Sequence, residues 1–107
     1  GVHEGRISLQ KFVQITSQNT AKQIGIYPRK GCIAVGSDAD LVILDPNRER
    51  TLSVETQVHK CDYNAYEGVS VHCVLTHVLS RGEVVAKEGR PCAEAGRGFY
   101  LHRDPIQ

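Results

Sequence analysis

The sequence predicts an α+β chain in which helices come first and strands follow. Three observations carry this expectation. Residues 9–16 place apolar groups at helical spacing, residues 41–44 form an unbroken apolar run between turn signals, and residues 69–86 alternate with period two around a glycine-bearing turn.

Ser8 stands where it can cap a first helix, whose face carries Leu9, Phe12, Val13 and Thr16 at the spacing i, i+3, i+4, i+7. A second short helix is expected after a polar turn. Ser17 or Asn19 would cap it, Ala21 and Ile24 would form its apolar face, and Gly25 would end it because glycine tolerates positive φ. Tyr27 to Gly31 reads as a turn, Cys32 to Asp38 as a short extended piece, and Gly36 to Asp40 as a further turn. The run Leu41-Val42-Ile43-Leu44 predicts a strand buried on both faces, ended by Pro46.

Thr51 to Val54 predicts another strand. Residues 55–68 read as a polar loop, with the rings of Tyr63 and Tyr66 expected to pack on a neighbouring surface. Val69 to Thr76 is expected to be continuous strand, and residues 78–80 and 83–85 a hairpin across Arg81-Gly82. Lys87 to Pro91 is expected to break the sheet. The glycine-rich tail should run extended, pinned by Phe99 and Tyr100.

Composition narrows the function classes. With 107 residues the chain is one domain or part of one, with a modest core. Its 13 basic and 12 acidic residues nearly cancel, which gives no reason to expect nucleic acid or an acidic membrane as a partner. No apolar stretch approaches the roughly 20 residues of a bilayer span, and no signal-peptide pattern opens the chain. A cytoplasmic protein is expected. The chain opens on Gly1 rather than Met, which suggests a start inside a longer protein. The cysteines are Cys32, Cys61, Cys73 and Cys92, and no two stand at C-x-x-C spacing. Their even number permits two disulfides in three pairings, but nothing points to secretion, so reduced thiols are expected and a zinc ribbon is not.

No constellation in the sequence carries chemistry. His3, His59, His72, His77 and His102 form neither H-x-H nor H-E-x-x-H, and read as surface or hairpin histidines. Asp38 and Asp40 stand two apart in a turn; an oxygen-ligand cation site needs about six ligands, so turn hydrogen bonding is the better reading. Cys73 follows His72 directly, and adjacent strand residues face opposite ways, which argues against a dyad. Gly36-Ser37 lacks the Lys-Ser/Thr of a phosphate loop. Arg29 and Lys30 beside Tyr27 are read as a solvated turn rather than a nucleic-acid patch. No catalytic, substrate-binding or metal-ligating residue is assigned.

The stretch YPRKGCIAVGSDADLVILDP, Tyr27 to Pro46, resembles a signature of the dihydropyrimidinases and hydantoinases, a branch of the cyclic amidohydrolases. The G-x-I-x-x-G-x-x-A-D-L portion is similar across the wider superfamily, and YPRKG narrows it to this branch. Thr16 to Lys22 resembles the branch's T-S-x-N-P-A-K segment, with Thr20 in place of the usual Pro or Ala. Asp62 to Gly68 resembles its D-Y-N-x-F/Y-E-G element, and Ser80 to Glu83 its S-R-G hairpin. These likenesses follow the family's order over nearly the whole chain.

The resemblance implies a C-terminal fragment. Residues 1–26 would be the last helical part of a (β/α)₈ barrel, residues 27–89 the C-terminal share of an incomplete β-sandwich, and residues 90–107 an extended tail. It implies a parent enzyme of pyrimidine degradation with a binuclear zinc centre, which opens dihydropyrimidines or hydantoins to N-carbamoyl amino acids. The zinc ligands would lie upstream on barrel strands, so this chain alone would be inactive and bind no zinc. Its partners would be the remainder of the parent chain, the small cyclic amide, and further subunits of a homotetramer met through sandwich and tail. The alternative is a fragment of a non-catalytic dihydropyrimidinase-related interaction protein. An apolar sheet surface or open edge should then be uncovered in the chain by itself.

Overall fold

The computed structural model describes residues 1–105. Two compact units form, residues 1–40 with the tail from Glu94, and Leu41–Ala93. The expected position of Ile106 and Gln107 in the tail lies outside the described residues.

In the first unit, helix α1 (Leu9–Val13) runs through a π-helical turn (Gln14–Gln18) into α2 (Asn19–Gln23). Ser8 caps α1 as expected: its Oγ accepts the Lys11 N–H at 3.1 Å. The expected polar turn between two helices is replaced by continuous helix. Val13, Gln14, Gln18 and Asn19 all keep right-handed helical dihedrals, and the Asn19 N–H reaches the Gln14 carbonyl five residues back. Ser17 and Asn19 therefore lie inside the helix and cap nothing. The reason is local. The Thr16 and Thr20 hydroxyls donate back to the carbonyls of Phe12 at 2.8 Å and Ile15 at 3.2 Å, so these polar residues satisfy the helix instead of breaking it.

The helix ends as its glycine predicts. Gly25 has φ +75°, its N–H bonds the Lys22 carbonyl at 3.3 Å, and the Ile26 N–H bonds the Ala21 carbonyl at 3.0 Å. This is the double bond pattern of a Schellman cap. Ala21, 4% exposed, is the one buried apolar side chain among the described residues. Leu9, Phe12 and Val13 remain exposed, because one rod cannot fold its own face against itself as a hairpin would. The modest core that length allowed is thus almost absent.

Residues 32–38 form bends and a turn rather than the expected extended piece. The tail runs without regular structure, and the Phe99 and Tyr100 rings, 83% and 81% exposed, are not buried against a surface. Asp104 ties it to the helix end, its N–H donating to the Gly25 carbonyl at 2.7 Å.

The second unit carries β1 (Leu41–Asp45), β2 (Arg50–Thr51), β3 (Ser70–Val71), β4 (Val74–Ser80), β5 (Glu83–Lys87) and β6 (Arg90–Pro91). Four strands form an antiparallel sheet in the order β1-β4-β5-β6, while β2 pairs antiparallel with β3. The expected hairpin is present: Ser80 pairs Glu83, and Arg81 and Gly82 both have positive φ, as a type I′ turn demands. Lys87 to Pro91 continues the sheet instead of breaking it. Glu88 and Gly89 repeat the same geometry, and Pro91 is tolerated on the outermost strand, where it needs no ladder donor.

Three further expectations change. The strand predicted over Thr51–Val54 is Arg50–Thr51, after which Val54–Thr56 turns as a 3₁₀ helix capped by Ser53. The alternation from Val69 to Thr76 is interrupted at His72-Cys73, because its two halves serve different sheets. Tyr63 and Tyr66 are exposed; the loop is tied instead by Glu67, whose carboxylate accepts the Val54 N–H at 2.7 Å, and by Asn64, whose side chain accepts the Tyr66 N–H at 3.0 Å.

β1 is an edge strand, and it is not buried on both faces. Val42 is 56% and Ile43 50% exposed, and successive strand residues point to opposite faces. Both faces of this strand are open, and its outer edge is unpaired within the sheet, as expected of a sheet surface left uncovered in the chain by itself. Among the described residues no helix is long and apolar enough to cross a membrane.

Candidate functional site

Chemistry-bearing side chains gather at two places, one in each unit. In the first unit, the loop after α2 closes on itself around Lys30. Its ammonium lies 2.9 Å from the Asp38 carboxylate and also bonds Asp40, while Arg29 Nε donates to Asp38 at 3.2 Å. The loop backbone draws the pairs together, since the Asp38 N–H donates to the Arg29 carbonyl at 2.9 Å. A second tie sits alongside. The Pro28 carbonyl accepts the Ser37 hydroxyl at 2.7 Å and the Cys32 thiol at 3.3 Å. Gly31, with φ +88°, lays this clasp against the helix: a Cβ there would stand 2.5 Å from the Ala21 Cβ.

In the sequence, Asp38 and Asp40 read as turn residues and Arg29 and Lys30 as a solvated turn. Each half of that is right in kind, but the two turns meet. The overlooked signal was the placing of two cations and two carboxylates about ten residues apart, with glycines between them. Two carboxylates converging on an ammonium make a structural clasp and leave no open ligand pair.

The electrostatics follow. Partial burial by itself favours neutral Lys30, but hydrogen bonds and charge from Asp40 and Asp38 outweigh it and raise the pKa above its ordinary 10.5. The hydrogen bond from Lys30 lowers Asp38 below its ordinary 3.8, against a smaller opposing effect of burial and with help from Arg29. The lowered carboxyl contributes stability above its unfolded pKa that is lost as pH falls through its folded value. The raised ammonium contributes stability below its unfolded pKa that is lost as pH rises through its folded value. Lys30→Met should therefore cost stability across the neutral range, with the difference from wild type closing in strong acid and again in strong alkali. Denaturation of both proteins over a pH series checks this; a difference independent of pH would mean lost packing rather than a lost clasp.

In the second unit, an open cleft of about 590 Å³ lies beside the β5–β6 turn and is lined by charged residues including Arg48, Arg50, Glu55 and Arg90. Arg48 donates to both oxygens of Glu88 at 3.2 and 3.1 Å, and this hydrogen bond raises the Arg48 pKa further above its ordinary value. His72 Nδ1 lies 2.9 Å from Glu49. His77 sits within β4, its Nδ1 3.1 Å from the Thr76 hydroxyl. His72 lies off the strands, so the two histidines do not share one. Cys32, Cys61, Cys73 and Cys92 are all free thiols. Among the described residues no three His, Cys, Asp or Glu gather as a metal-holding group.

Comparison with known proteins gives concordant results. Residues 2–85 match the model of the amidohydrolase family. The chain is 46% identical over 101 residues to dihydropyrimidinase 1 of Caenorhabditis elegans, covering 94% of this chain and 21% of that protein. It is 48% identical over 103 residues to the D-hydantoinase of Geobacillus stearothermophilus, covering 96% of this chain and 22% of the relative. The crystal structure of D-hydantoinase from Bacillus sp. AR9 superposes with a TM-score of 0.96 at 50% identity, over 100% of this chain and 23% of that one. The chain thus spans about a fifth of the length of the curated relatives it matches.

Proposed function

The chain belongs to the amidohydrolase family, and from that premise we propose that it is the C-terminal portion of a zinc-dependent cyclic amidohydrolase of the dihydropyrimidinase and hydantoinase type. The parent protein hydrolyses the ring amide of dihydropyrimidines or hydantoins to N-carbamoyl amino acids. The observation that carries this reading is the match to a D-hydantoinase at 50% identity with a TM-score of 0.96 over the whole of this chain. Agreement in both sequence and backbone across two dissimilar units is more specific than a shared fold alone.

Within that parent, residues 1–26 are read as the end of the barrel, residues 27–89 as part of an incomplete sandwich, and residues 90–107 as a tail that serves subunit contact. The open faces of β1 support this, since an apolar strand exposed on both faces calls for covering layers. The remainder of the parent chain is the proposed cover, and a cytoplasmic homotetramer the proposed assembly.

The residues here do not fit the family's zinc pair. Asp38 and Asp40 are engaged by Lys30, and His72 is engaged by Glu49. The proposed part of this chain is to complete and support the fold around chemistry placed on the barrel.

The test is hydrolysis of dihydrouracil and of a 5-substituted hydantoin by the full-length protein that carries this chain, with zinc content measured in parallel. Ring opening by the metal-loaded full-length protein, lost on chelation, is the expected result. Turnover by the 107-residue chain alone would overturn the placement of the reaction centre, and a full-length protein inert to both substrates would overturn the activity.

A further inference from the structure

We propose that the tip of the clasped loop, which carries Ile33 and Val35, is an apolar plug that seats in a socket formed by the remainder of the parent chain. The inference rests on the reading of this chain as part of a longer protein. It starts from the exposure of the tip. Val35 is 108% and Ile33 88% exposed, the two highest values among the large apolar side chains of the described residues. Apolar residues scattered singly over a surface are ordinary. Two of them on a tip that cannot fold back call for a cover.

The loop is pinned at both ends of the tip. Cys32 Sγ and Ser37 Oγ both donate to the Pro28 carbonyl, at 3.3 and 2.7 Å, and stand 3.3 Å from each other. The Ser37 N–H closes the turn on the Ala34 carbonyl at 3.1 Å, with Gly36 at φ +90°. Residues 33–36 thus project from a fixed base, and all four are exposed. A tip already held in one shape loses little freedom when it docks.

The charge at the base says what kind of cover fits. Arg29 and Lys30 are paired with Asp38 and Asp40, two cations against two carboxylates. Protein can close over a balanced base without leaving a buried charge unpaired, whereas an anionic lipid surface gains no net attraction from it. The parent supplies the occupant. This chain spans about a fifth of the length of its curated relatives, so most of the parent lies outside it. A socket in the same polypeptide also acts at a fixed effective concentration and needs no association.

The test uses the full-length protein in two arms. Neither needs turnover, so the plug can fail while the hydrolase reading stands, and the reverse. In the first arm, Ile33→Cys and Val35→Cys, which keep a small apolar side chain, are labelled with a maleimide and read by peptide mass spectrometry. Labelling should be roughly 100-fold or more slower in the folded protein than in urea, since reaction must await local opening. Carbene footprinting of Ile33 and Val35 in the unsubstituted protein gives the same reading should a variant not fold. In the second arm, a photoreactive diazirine side chain at position 35 is cross-linked by light. The product should run at the mass of one chain on a denaturing gel and join position 35 to a peptide outside these 107 residues. Labelling at the unfolded rate overturns the proposal. So does a cross-link that doubles the mass, which would put the socket in a second copy, or one confined to peptides within these 107 residues.

Discussion

Gly31→Ala should be the most damaging single-methyl change in the chain, at about 3 kcal/mol, since backbone strain and overpacking each contribute roughly 1–3 kcal/mol. Gly31 has φ +88°, a conformation L side chains rarely adopt, and the added Cβ would lie 2.5 Å from the Ala21 Cβ and 3.2 Å from the Ser17 carbonyl oxygen. Ala21 is the buried residue of the helix, and the Ser17 oxygen belongs to the π-helical turn, so neither can retreat cheaply. Gly36→Ala separates the two causes. Gly36 has φ +90° but nothing within 4 Å of its Cβ position, so it should lose only the conformational part, about 1–2 kcal/mol. Adding Ala21→Gly should make Gly31→Ala less costly by about 1 kcal/mol, a coupling typical of residues in contact. The measurement is thermal or denaturant unfolding, in the full-length protein, of Gly31→Ala, Gly36→Ala, Ala21→Gly and the Ala21→Gly/Gly31→Ala double variant. Equal losses for Gly31→Ala and Gly36→Ala would mean that the loop does not seat on the helix as described.

What the sequence revealed and concealed follows from how local each signal is. Gly25 and the Arg81-Gly82 turn were legible because positive φ is a property of one or two residues, and the structure has positive φ at all three. The strand Leu41–Asp45 was legible from its apolar run, but its burial was not, because burial depends on layers the chain does not itself bring to that strand. The expected helix break is absent for a different reason. Ser17 and Asn19 carry cap chemistry, yet the Thr16 and Thr20 hydroxyls bond helix carbonyls and the backbone stays helical. Glu88-Gly89 was overlooked because Glu at positive φ is unusual, and Pro91 looked like a breaker although an edge strand accepts it. The clasp joins Lys30 to Asp38 and Asp40 across a loop. Its residues were each visible, but their meeting depends on the path between them.

Gly25→Ala should release the tail from the helix end and cost about 2 kcal/mol, roughly 1–2 for the left-handed backbone and about 1 for a lost hydrogen bond. Gly25 has φ +75°, so an alanine would strain the Schellman cap even in an isolated helix. The further loss comes from the tail. A Cβ at position 25 would lie 2.2 Å from the Asp104 carbonyl oxygen, an approach no real Cβ makes, and backbone cannot swing aside as a long side chain can. The tail must therefore lift, giving up the 2.7 Å bond from the Asp104 N–H to the Gly25 carbonyl. Amide exchange at Asp104 should accelerate in the variant, and proteolysis within residues 94–104 should quicken with it. A chain ending at Leu101 decides between the two causes. In that background Gly25→Ala retains its backbone cost but has no tail left to displace, so its penalty should shrink by about 1 kcal/mol. An undiminished penalty, with Asp104 exchange unchanged in the intact variant, would show that Gly25 serves the helix cap alone and that the tail takes its hold elsewhere.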